Sequence, residues 1–185
     1  MLWIWLGFAA AAVAVVALVI IAGGGSGSGP AVPAAGPVAA DTSGSYAELV
    51  GRANDLYDQG IGAFDSDDDA GGVEYFSAAS EVYRAAWKKQ PGDPSVGTDL
   101  AVALFYSRHH DEALEQIAVV LKKNPTFQSG HLNKGIFLQT EASEAADDGD
   151  AADFLAQAKT ALQKAVSLDP TSEAGKHAAE QLKSL

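Results

Sequence analysis

Three prolines, Pro91, Pro125 and Pro170, each close the same helical signature, and this recurrence constrains the fold more than any other feature. Five residues before them stand Ala86, Val120 and Ala165. Eight before stand Tyr83, Ile117 and Leu162, and twelve before stand Ala79, Ala113 and Ala158. Steps of three and four place these residues on one helical face. The alanine at the first position predicts close approach of a neighbouring helix. A preceding helix is registered by Ala53, Ala101 and Gly135, each followed three residues later by a leucine, Leu56, Leu104 and Leu138. Proline cannot continue a helix, so each copy reads as helix, turn, helix, stop. Asp93-Pro94 predicts an N-cap followed by Pro at the first helical position. Gly60 is read as the stop of the first helix in copy one.

Residues 94–127 carry the pattern at its basic length, with Leu100-Ala101, Asp111-Glu112-Ala113-Leu114, Ile117 and Pro125 as the matching positions. On these residues the chain resembles the tetratricopeptide repeat (TPR) family of helix–turn–helix units. It departs from that family at Gly97, where Trp is common, and at Arg108, where Gly is common. The outer copies are longer. Ala53 to Ala79 and Gly135 to Ala158 exceed the 12-residue step from Ala101 to Ala113 by 14 and 11 residues. The acidic stretches 65–72 and 141–150 are read as solvated loops holding this excess. The expected fold is all-α: an α-solenoid of three helix pairs over 46–93, 94–127 and 128–170, closed by a capping helix in 171–185. In that cap Ala174, Ala178 and Leu182 face inward, and Glu173, Lys176, Glu180 and Lys183 form the polar outer face.

All 12 basic and 24 acidic side chains lie beyond residue 40. Ahead of them, residues 2–22 form an unbroken apolar run, long enough at about 1.5 Å per residue to cross the roughly 30 Å core of a bilayer. Trp3 and Trp5 suit the interface at one end. The run is read as a transmembrane helix spanning 1–22, with a cleaved signal peptide ending near Val32-Pro33-Ala34 as the rival. Residues 23–45, rich in Gly, Ser, Pro and Ala, are read as a disordered tether. The soluble part, 46–185, is expected on the extracytoplasmic side of the cell membrane.

The net charge of −12 argues against a nucleic-acid partner. The absence of cysteine removes thiol chemistry and cysteine-ligated metal. No nucleophile elbow, phosphate loop or catalytic carboxylate pair is present, so no catalytic residue, cofactor or small-molecule substrate is expected. Asp65 to Gly72 has alternating carboxylates but lacks the turn glycine and closing glutamate of a calcium loop. His109 and His110 are adjacent and point apart on a helix, so no metal site is assigned to them.

The resemblance implies that first helices line a concave groove for a peptide or protein partner. Carried over by register, the groove residues are Asn54 and Tyr57 in copy one, Thr98, Asp99, Val102, Phe105 and Tyr106 in copy two, and Leu132, Asn133, Ile136 and Gln139 in copy three. Phe105 and Tyr106 are expected to be exposed apolar anchors. The order of anchor, tether and three repeats also resembles the repeat subunits of cytochrome c maturation, where the groove holds a C-terminal apocytochrome segment. A structural scaffold for a membrane complex, working through the convex face or the acidic stretches, is the other reading.

Overall fold

All nine positions counted back from the three prolines are buried, as are Ala53, Ala101, Gly135 and the three leucines that follow them. The structure, a computed structural model, describes residues 38–185. The expected membrane span and residues 23–37 of the tether lie outside the described residues. Within them are seven helices: α1 Tyr46–Asp65, α2 Asp69–Lys89, α3 Pro94–Tyr106, α4 His110–Lys123, α5 Gln128–Glu144, α6 Asp148–Leu168 and α7 Glu173–Gln181. None of these is long and apolar enough to cross a membrane. They pair in order, α1 with α2, α3 with α4 and α5 with α6, and α7 closes the stack against α5 and α6.

The caps explain the boundaries. Ser45 accepts from the Glu48 backbone N–H while the Glu48 carboxylate accepts from the Ser45 N–H, a reciprocal capping box at the start of α1. Asp93 caps α3 by accepting from the Ser95 and Val96 N–H groups, with Pro94 next. Its other oxygen accepts from the Tyr46 hydroxyl at 2.7 Å, which ties the start of α1 to the start of α3.

Two expectations are corrected. Gly60 does not stop a helix: α1 runs through it to Asp65, and Gly60 lies under the Phe76 ring, where a Cβ would sit 2.8 Å from Phe76 Cε2. The acidic stretches are not long loops. Only Ser66–Asp68 and Ala145–Asp147 separate the helices there. The excess residues lengthen helices instead. α1 and α2 are each seven residues longer than α3 and α4, while α5 and α6 are four and seven longer, which accounts for all 14 and 11. Four and seven residues are close to one and two helical turns, so each lengthened helix keeps its buried face on its partner.

Residues 38–45, tether by composition, lie on the helices. Val38 and Ala40 pack against the core, and Arg52 pairs with Asp41 at 3.2 Å and donates to the Ser43 carbonyl.

The departures from the family pattern acquire reasons. Gly97 lies beneath Trp87 of α2 and Val120 of α4, and a Cβ on it would sit 2.6 Å from both. The indole therefore reaches this space from the preceding helix. Lys123 stands 5.5 Å from that ring and donates to the Pro91 carbonyl at 2.7 Å. Arg108 sits in the α3–α4 turn with φ +67°, the left-handed region where glycine is the low-cost residue.

Candidate binding surface on the first helices

α3 is apolar almost all round, and only Ser95, Asp99 and Tyr106 keep appreciable exposure along its length after Pro94. Their spacing puts them on one stripe with Val102, which is itself buried. Asp99 is the notable member. It forms no ion pair and accepts no side-chain hydrogen bond among the described residues. Burial, with a smaller push from the nearby Asp93 carboxylate, raises its carboxyl to about 7. Around it stand three phenols, Tyr46, Tyr57 and Tyr83. Each is raised above the ordinary tyrosine range, chiefly by burial and in part by the Asp99 charge. Asn54 completes the patch, and its Oδ1 accepts from the Tyr83 hydroxyl at 2.7 Å.

The aromatics divide differently from expectation. Tyr106 is half-buried, stacked on Phe76 with ring centroids 4.8 Å apart. Phe105 is 9% exposed and lies in the core, stacked on Phe137 of α5 at 4.3 Å and on His110 of α4 at 4.4 Å. The expected exposed pair is therefore one surface-edge tyrosine and one core phenylalanine. Phe105 is turned inward because it fills the space where α3, α4 and α5 meet. Thr98 is also buried, and its hydroxyl oxygen has no hydrogen-bond partner among the described residues.

On α5, Leu132 is buried in a separate small cluster with Leu162, Ala165 and Ala178. Asn133 is half-buried and donates to the Ser129 carbonyl of its own helix. Ile136 and Gln139 line a shallow recess of about 180 Å³ with Thr140, Ser143 and Gln181 of α7. The eleven residues therefore fall into two patches, a buried remainder of Thr98, Val102, Phe105 and Leu132, and Asn133, half-buried apart from both patches. Asn54, Tyr57, Asp99 and Tyr106 belong to the α1–α3 patch, and Ile136 and Gln139 to the α5–α7 recess.

A second concavity escaped sequence reasoning. Between α4, α5 and α6 lies a cleft of about 680 Å³ with Ala118, Leu121, Ala156 and Ala161 among its apolar lining residues. Lys122, Lys134, Lys164 and His131 also line it. None of the three lysines pairs with a carboxylate among the described residues. The lysines come from three helices, so no local run of charge announces them.

Among solved structures, the chain is similar to TTC0263, a thermophilic TPR protein of Thermus thermophilus. The TM-score is 0.55 at 18% identity over 70% of this chain. The fold is that of a TPR protein. The chain spans 62% of the length of TTC0263. Weaker likenesses are to the Arabidopsis OM64 TPR domain (TM-score 0.47, 13% identity, 74% of this chain and 98% of that one) and to the first TPR domain of human RPAP3 (0.46, 18%, 73% and 95%). No family model and no curated protein matches the sequence. In the TPR fold α1, α3 and α5 are the first helices of successive units, and these carry the eleven residues.

Proposed function

We propose that this chain is a non-catalytic adaptor whose first-helix groove binds an extended protein segment bearing a lysine or arginine. The observation that carries the reading is the Asp99 carboxylate, near the Tyr46 and Tyr57 phenols with no cation from the described residues. A half-buried carboxylate without a partner is unfavourable. An incoming ammonium or guanidinium supplies the missing charge and can lie against phenol faces. Asn54, whose Oδ1 is held by the Tyr83 hydroxyl, presents its amide N–H groups to a peptide carbonyl. Residues 2–22 hold the chain in the cell membrane in this reading, with the repeat domain on the extracytoplasmic side. The support is the length and purity of the apolar run. The narrower version, in which the segment is the C-terminus of an apocytochrome, rests on the order of anchor, tether and repeats.

The test is affinity capture from membranes with the full chain and its Asp99→Asn variant, followed by direct titration with a synthetic segment of each captured protein. A captured segment whose affinity falls about tenfold or more with Asp99→Asn, and equally when its Lys or Arg is replaced by Gln, supports the proposal. Equal affinity for both forms of the chain rejects it. The scaffold reading is favoured by the lysine-lined cleft, which offers an acidic partner a separate surface. Partners lost on Lys134→Glu but retained by Asp99→Asn would assign binding to that cleft.

A further inference from the structure

The adjacent pair His109-His110 cannot chelate one ion by itself, but the fold brings other ligands to His110. It is the first residue of α4, and it faces Glu141 and Glu144, one turn apart near the end of α5. Glu141 Oε1 lies 2.7 Å and Glu144 Oε2 3.7 Å from His110 Nδ1. All three ligand atoms lie within 4.8 Å of one another. We propose that His110, Glu141 and Glu144 form a zinc site that clamps the second helix pair to the third.

Three observations carry the assignment. The first is the donor set: one imidazole nitrogen and two carboxylates suit zinc with water in the fourth position, whereas magnesium and calcium prefer oxygen ligands throughout. The second is an orphan. Glu141 Oε1 is buried and accepts no hydrogen bond among the described residues, although Nδ1 is only 2.7 Å away. The oxygen is close to the nitrogen yet badly placed for its N–H, so a proton bridges the pair poorly. An ion on the nitrogen lone-pair axis, at about 2.0–2.1 Å, can reach an off-axis oxygen at a similar distance. The third is preorganisation. His110 is stacked flat against Phe105, with an interplanar angle of 16°, which fixes the ring plane and hence the direction of the lone pair. No lysine or arginine pairs with Glu141 or Glu144 among the described residues.

Tetrahedral zinc with arms of this length separates its ligands by about 3.3 Å. The nitrogen–oxygen distances straddle that value and the two carboxylate oxygens lie within 4.8 Å of each other, so rotation of the glutamate side chains completes the site. Its place in the fold gives it a consequence. α4 meets α5 over less contact than any other consecutive pair of helices, and an ion there bridges the weakest junction in the stack.

The test uses the full chain in detergent, stripped of metal with a chelator and then equilibrated with zinc. The expected result is one zinc retained per chain after dialysis. The melting temperature should rise by roughly 5–10 °C at free zinc a hundredfold above Kd. Glu144→Gln changes a half-exposed side chain and should keep the helical circular dichroism while losing both effects. His110→Ala should lose them too, and His177→Ala, on α7, should keep them. Failure of the parent chain to retain zinc, or undiminished retention by Glu144→Gln, would overturn the proposal.

Discussion

The α1–α4 unit and the α5–α7 unit obey the same spacing rule and are filled with different side chains. In the first, Phe76 is wholly buried, with Tyr57 edge-on at 5.0 Å and Phe64 and Tyr106 stacked at 5.5 and 4.8 Å. Trp87, near the far end of α2, covers Gly97. In the second, Leu132, Leu162, Ala165 and Ala178 form a small buried cluster with Ile136, Val166, Ala174 and Leu182 half-buried around it, Leu138, Ala158 and Ala161 are buried too, and Phe137 is its one buried ring among the described residues. Apolar burial contributes about 25 cal/mol per Å², so the aromatic unit holds the larger reserve. The C-terminal unit relies on close backbone approach, as at Gly135, and on stacking against its neighbour through Phe105 and Phe137. Repeat spacing therefore places the helices, while side-chain size decides how firmly each pair is held. Amide hydrogen exchange should show α5–α7 opening at lower free energy than α1–α4.

Phe105→Ala should break this arrangement most severely. It removes a buried ring at the join of the two units and should cost about 3–5 kcal/mol of folding stability. Chemical denaturation should then show α5–α7 unfolding separately from the rest. A near-native melt would return Phe105 to the surface role that its register implies.

Asp99→Asn tests the first unit alone. The folded-state pKa of Asp99, about 7, lies above its ordinary value of 3.8. Between these values the folded chain binds more protons than the unfolded one, so stability from this group falls as pH rises from about 4 to 7. The variant should remove that slope and gain at most about 4 kcal/mol at pH 8. Denaturation midpoints at pH 5 and pH 8 read the difference, and identical slopes in both proteins would refute it.

Gly135→Ala should loosen the second unit by about 1 kcal/mol. A Cβ there would sit 2.5 Å from Leu162 Cγ, and overpacking of this kind outweighs the helix-propensity gain of about 1 kcal/mol. Hydrogen exchange should quicken in α5–α7 and stay unchanged in α1 and α2.

The smallest effect has the opposite sign. Arg108→Gly relieves the left-handed strain in the α3–α4 turn, offset by the greater freedom of glycine in the unfolded chain. Thermal unfolding should report a gain of about 0.5–1 kcal/mol.

The helix pairs, their buried faces and the Asp93-Pro94 start were legible in the sequence because they depend on local spacing and capping. A residue three or four positions from another shares its face wherever the helix is placed. The Ser45–Glu48 capping box is an equally local signal, and it lay hidden within a stretch that composition marks as tether. Tertiary packing decided the rest. Gly60 and Gly97 look like breaks or losses until Phe76 and Trp87 are seen above them. The acidic stretches look like loops until their lengths are recognised as turns added to paired helices. Phe105 and Tyr106 are sequence neighbours with opposite fates, because a helix rotates about 100° per residue and only the position of α5 determines which ring is covered. His110 meets Glu141 and Glu144 from the next helix pair, and the lysine cleft gathers three helices. Periodicity within one helix carries no information on such meetings, which depend on how whole helices dock.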